Sequence, residues 1–120
     1  MEKELLIESL NKLPEQIHDL RMRVLDSAKN VDGLERTLYE EEAKIKSEIS
    51  SEIEDGTSKK KYPNAESRDA EFQIRSAASQ SITAARSSLE NGKESLDKLK
   101  FELEMLNNTM LNYRAITGIL

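Results

Sequence analysis

The chain has no cysteine and no tryptophan, and among its 120 residues there are one histidine, two prolines, four glycines and five other aromatic side chains. Each shortage excludes something. Without cysteine there is no disulfide framework and no thiolate metal site. The single histidine, His18, has no second histidine or cysteine to share a metal with and no nucleophile to activate, so it reads as a flanking helix residue. Few glycines and prolines leave room for long uninterrupted helices. A hydrophobic content of 37% against 34% charged is too little to fill a compact globule. A narrow apolar seam between extended helices needs fewer buried side chains and fits this composition.

Further absences narrow the function classes. The first thirty residues lack the apolar core of a signal peptide, and no twenty-residue apolar run is available to cross a membrane, so the expected location is the cytoplasm. There is no glycine-rich phosphate loop. The run Glu40-Glu41-Glu42 supplies carboxylates, but general acid–base chemistry needs a pocket that shifts pKa values, and a two-helix rod has none. These glutamates read as a solvated face. No enzymatic activity, cofactor, metal or small-molecule substrate is expected. The formal net charge of −5 on average opposes binding to nucleic acid and anionic membranes, although local basic patches override a mild net charge.

What is present is a repeat of apolar residues. Leu6, Leu10, Leu13, Ile17, Leu20, Val24, Val31, Leu34, Leu38 and Ile45 follow alternating steps of four and three, with Ser27 and Glu41 off-pattern. Ala78, Ile82, Ala85, Leu89, Leu96, Leu99, Leu103, Leu106, Met110 and Tyr113 repeat the pattern, interrupted at Gly92. Between the two seams lies Asp55-Gly56-Thr57-Ser58-Lys59-Lys60-Lys61-Tyr62-Pro63-Asn64, with turn-forming residues throughout and Asn64 or Ser67 available to cap the next helix. The expected fold is all-α, a long antiparallel two-helix coiled-coil hairpin assembled into an oligomeric helical bundle. Its single domain covers residues 1–120, with a first helix over 14–54, a turn at 55–63 and a second helix over 64–117. At about 1.5 Å per residue, each arm would span on the order of 65 Å.

Proline at position 14 removes a backbone donor and clashes with the preceding turn. It predicts either a fresh helix start capped by Asn11, with residues 1–13 as a short arm, or a kink in one continuous helix. Pairing of the seams leaves two registers: residue numbers in each layer add to 116, setting Leu13 beside Leu103, or to 123, setting Ile17 beside Leu106. Either puts Gly92 near the small residues Ser27 and Ala28, where a narrow or bent waist is expected.

Near the termini, Leu5, Ile7, Met22, Leu25, Phe101, Met105, Leu111, Ile116 and Ile119 are apolar but lie off the seam. A lone hairpin would leave them in water, so they are the candidate oligomer interface. The partner expected first is a second copy; a heterologous protein or a folded-back N-terminal arm are the alternatives. Charge is also segregated. Residues 35–55 carry eight acidic side chains against Arg36, Lys44 and Lys46, and directly beyond come Lys59, Lys60, Lys61, Arg68 and Arg75 with Tyr62 interleaved. Such a cluster can contact phosphates while the ring stacks on an unpaired base, although a lysine run in a turn is more often simply solvated, and Glu66, Asp69 and Glu71 weaken it.

The turn with Tyr62-Pro63-Asn64 and Arg68, followed by a Glu/Leu-rich helix closing on Tyr113-Arg114-Ala115-Ile116 and Ile119-Leu120, resembles small helical-hairpin proteins of phage and prophage replication–recombination clusters. The resemblance covers residues 35–120. In architecture these are similar to the recombination mediators of T4-type phages. The resemblance implies an oligomer that binds single-stranded DNA and a recombinase or single-strand-binding protein in the bacterial host cell, with Lys59, Lys60, Lys61, Arg68 and Arg75 on the phosphates. The residues by themselves favour a protein-only assembly factor, scaffold or adaptor without nucleic-acid binding, and the resemblance brings the DNA accessory level with it.

Overall fold

A computed structural model describes residues 2–119 of the chain, with side chains described through Gly118. The fold is all-α: α1 (Lys3–Ser51), α2 (Ala65–Ala78) and α3 (Gln80–Ile119) follow in order. Two compact units result, one from Met1–Val31 with Gly92–Leu120, the other from Asp32–Asn91. α1 and α3 each contribute a segment to both units, whereas α2 and the turn belong wholly to the second.

The seam residues behave as the spacing demands. Leu6, Leu13, Ile17, Leu20, Val31, Ile82 and Leu89 are buried, and the remaining apolar seam positions are half-buried with one exception, Ala78, which is exposed. Removing each buried side chain from water contributes about 1.5–3 kcal/mol. The register can be read within each unit. In the first, Leu13 of α1 lines a groove with Leu106 and Tyr113 of α3, which sets it level with Met110 and agrees with the larger of the two expected sums. In the second, the Ser81 hydroxyl donates to the Glu41 carboxylate at 3.3 Å, and 41 and 81 add to 122. Glu41, off-pattern in the seam, is thus satisfied by Ser81 and by Lys44 at 3.3 Å. Gly92 is buried, Ser27 and Ala28 are half-buried, and the boundary between the units falls at Val31 and Gly92.

At Pro14 the structure takes the continuous helix of the two expected alternatives, and at two other places the element boundaries differ from the expected ones. Pro14 lies inside α1, which begins at Lys3, so there is no fresh helix start and no separate arm over 1–13. Leu6, Leu13 and Ile17 are buried on both sides of the proline and hold the segment in helix. The ring itself is exposed, where water can satisfy the carbonyl that the missing N–H releases. α1 ends at Ser51 rather than at 54. There the hydroxyls of Ser50 and Ser51 bond back to the Lys46 and Glu48 carbonyls, competing with continuation of the helix.

The expected single second helix over 64–117 is two helices, broken at Ser79. That residue is extended (φ −81°, ψ 119°) and its N–H closes α2 on the Ser76 carbonyl. Its hydroxyl then accepts from the Ile82 N–H at 3.2 Å, and its carbonyl accepts the Thr83 N–H at 3.1 Å, so one serine ends α2 and caps α3. Packing explains the break. Phe72 and Ser76 are the buried residues of α2, and Phe72 stands ten residues before buried Ile82. At about 100° per residue, ten residues leave the two roughly 80° apart on a straight helix. A break lets both side chains be buried, at the cost of turning Ala78 to solvent.

Candidate functional site

The turn is more ordered than a loop of polar residues suggests. Beyond α1, Ile53 and Lys60 form an antiparallel bridge, framed by hydrogen bonds from the Glu54 N–H to the Lys59 carbonyl (2.9 Å) and from the Lys61 N–H to the Glu52 carbonyl (3.0 Å). Gly56, at φ +73°, makes the reversal, with the Thr57 N–H donating to the Glu54 carbonyl at 3.1 Å. A positive φ at the third residue of a four-residue turn is the requirement that glycine meets without strain. The bridge sets Glu54 across from Lys59 and Glu52 across from Lys61, so opposite charges face each other over the ribbon.

The chain enters α2 through a capping box. The Asn64 side-chain oxygen accepts from the Ser67 N–H at 2.8 Å while the Ser67 hydroxyl accepts from the Asn64 N–H at 3.4 Å. One turn further, Arg68 donates to the Tyr62 carbonyl at 3.3 Å. Arg75 then ties the region together. Its Nη2 bonds Glu52 at 2.7 Å, its Nε bonds Glu71 at 2.8 Å, and its guanidinium carbon lies 5.8 Å from the centre of the Tyr62 ring. Lys61 Nζ lies 5.6 Å from the same ring. The Glu52 hydrogen bond, then that of Glu71, raise the Arg75 pKa, and the guanidinium in turn holds the Glu52 carboxyl below its ordinary value. Glu52 is the partner the sequence reading missed: Glu71 is a readable i,i+4 neighbour of Arg75, but Glu52 lies 23 positions away with no local signal.

Of the six residues expected to contact nucleic acid, Lys59, Lys60 and Lys61 are exposed. Tyr62, Arg68 and Arg75 are brought together with Lys61, but as parts of the turn's own scaffold. Arg75 bonds two carboxylates, Arg68 donates to a carbonyl, and the half-buried Tyr62 ring lies beside two cations. From Glu52 to Arg75, six carboxylates stand against five cations, so the turn region as a whole carries no positive excess.

Beside the turn, Lys46, Ile49 and Ser50 of α1 and Arg68, Asp69 and Phe72 of α2 line a groove of about 230 Å³, with Lys46 Nζ 4.8 Å from the centre of the Phe72 ring. Ile49 and Phe72 are buried although both lie one position off the heptad. Among the described residues, no group of three or more histidine or acidic side chains is placed to hold a metal ion, and no helix is long and apolar enough to cross a membrane. In the acidic run, Glu42 pairs with Arg86 at 3.6 Å and Glu41 is held as described above.

The other candidate surface lies in the first unit. Leu5, Ile7, Met22 and Leu25 of α1 and Phe101, Met105, Leu111 and Ile116 of α3 are 42–63% exposed. Ile119, placed in the same group from sequence, lies outside the residues whose side chains are described. In the second unit Tyr39, Ile53 and Ile74 are exposed as well, although the sequence reading did not single them out. No protein-family model matches the chain, and neither a curated protein nor a solved structure was found to be similar to it.

Proposed function

We propose that this protein is a non-enzymatic assembly factor of the cytoplasm, a coiled-coil scaffold or adaptor that works by associating with copies of itself and with other macromolecules. The observation that carries this reading is the set of eight large apolar side chains left exposed in the first unit. At about half exposure each leaves on the order of 100 Å² in water, together about 800 Å², which is one partner's share of a standard protein interface. Large apolar side chains exposed together in one unit mark a surface for association. Light scattering coupled to size-exclusion chromatography tests the reading: a mass that is a multiple of 13.6 kDa and falls on dilution is expected, and a monomer at all concentrations would sink it.

A second reading has its own observation. Lys59, Lys60 and Lys61 are consecutive, exposed and held in an ordered ribbon, which supports a DNA-recombination or replication accessory of the phage type that contacts single-stranded DNA and a recombinase or single-strand-binding protein. In this reading the lysines alone touch phosphates, while Tyr62, Arg68 and Arg75 shape the turn that carries them. Fluorescence anisotropy of a labelled single-stranded oligonucleotide, with a Lys59/Lys60/Lys61-to-Glu variant alongside, decides it. Binding that weakens steeply with salt and is lost in the variant supports the accessory reading; no binding at low salt removes it.

A further inference from the structure

The sequence holds three junctions at which an aspartate or asparagine precedes a glycine: Asp32-Gly33, Asp55-Gly56 and Asn91-Gly92. At such a junction the glycine's backbone nitrogen can attack the carbonyl carbon of the preceding side chain and close a succinimide ring, because no Cβ on the glycine crowds the approach. The reaction needs that N–H out of any hydrogen bond. It also needs the peptide plane to turn about the Cα–C bond of the first residue until nitrogen and side chain lie on the same side.

The fold meets these needs at one junction of the three. Asp32-Gly33 lies inside α1 and Asn91-Gly92 inside α3. In a helix interior the N–H of the plane is bonded to a carbonyl four residues back and its C=O to an N–H ahead, so the plane is held on both sides. Asp55 and Gly56 are instead the exposed central pair of the turn that the Thr57 N–H closes on the Glu54 carbonyl. Among the described residues neither the Asp55 carbonyl nor the Gly56 N–H has a hydrogen-bond partner. A positive φ at Gly56 and none at Asp55 is the type II pattern, and turning the central plane by about half a turn gives type I. That plane can swing past the Asp55 side chain while the Glu54–Thr57 bond and the Ile53–Lys60 bridge hold.

We propose that Asp55-Gly56 is a self-modification site, where the folded chain converts aspartate to isoaspartate with water as the only other reactant. The Gly56 nitrogen bonds to the side-chain carbonyl carbon of protonated Asp55, and the carboxyl's hydroxyl leaves with the nitrogen's proton as water. Water then adds to either carbonyl of the ring. Addition at the side-chain carbonyl restores aspartate. Addition at the main-chain carbonyl frees that group as a carboxylate and leaves the chain running through the Asp55 methylene, with mass and oxidation state unchanged. The main chain is then one carbon longer inside the turn, which loosens the closure at Glu54 and Thr57 and the ribbon that carries Lys59, Lys60 and Lys61.

Peptide mapping of the full chain after prolonged warm incubation in mildly acidic buffer tests this, with electron-transfer fragmentation to separate isoaspartate from aspartate. A parallel sample in guanidinium chloride gives the rate at each junction without the fold. Isoaspartate is expected to accumulate at residue 55 with little slowing by the fold, while residues 32 and 91 fall far below their unfolded rates. In Asp55→Glu, which keeps the charge but needs a larger ring, the signal at 55 is expected to be lost. Slowing at residue 55 as strong as at the two helical junctions would overturn the proposal. So would isoaspartate appearing first at residue 32 in the folded chain.

Discussion

At the scale of single residues, Arg75 organises the turn. It is drawn to Glu71 by helical spacing and to Glu52 by the reversal of the chain, so one side chain fastens the end of α1 to α2. The resulting depression of the Glu52 pKa has a definite sign. A carboxyl whose pKa is lower folded than unfolded contributes stability that is present above its unfolded value, about 4.3, and is lost as pH falls through the folded value. Glu52→Gln is therefore expected to destabilise the protein at neutral pH and to show a smaller loss of stability than the wild-type chain between about pH 5 and pH 2. Urea denaturation at a series of pH values measures this, and parallel pH profiles for the two proteins would contradict it. Tyr62, Asn64 and Arg68 each have a structural partner: a guanidinium, a capping serine and a carbonyl. All three act in building the turn and the start of α2.

At the scale of elements, helix limits are set by which side chains must be buried and where backbone groups find partners. Ser79 separates α2 from α3, and with that break Phe72 and Ile82, roughly 80° apart on a straight helix, are each buried. Pro14 fails to break α1 because buried neighbours hold it. The proline nonetheless forfeits a hydrogen bond and strains the preceding turn. Pro14→Ala is expected to raise stability by about 1–3 kcal/mol, read as a higher denaturation midpoint with an unchanged slope. An unchanged or lower midpoint would mean that the local helix has already relaxed around the ring. The break at Ser79 and the choice of a continuous helix at Pro14 have one origin: propensity weighs each residue alone, and packing weighs it against residues far away in sequence.

At the scale of the whole chain, the apolar residues divide into a seam that the helices bury among themselves and an off-seam set that they leave exposed. The double substitution Met22→Ser with Phe101→Ser, at positions 46% and 63% exposed, is expected to leave helix content unchanged by circular dichroism while bringing the solution mass toward 13.6 kDa. A loss of helix would show instead that these side chains are packed within the chain. The seam, the helical class, the position of the turn and the exposed set at Leu5, Met22, Leu25, Phe101, Met105, Leu111 and Ile116 were all legible in the sequence, because heptad spacing is a local pattern that a helix of fixed pitch turns directly into a face. Register, the continuity of α1 through Pro14, the break at Ser79 and the closing of Arg75 on Glu52 were decided only by tertiary structure. Each depends on what a distant segment places opposite, and residue spacing along one helix contains no information about the height at which another helix meets it.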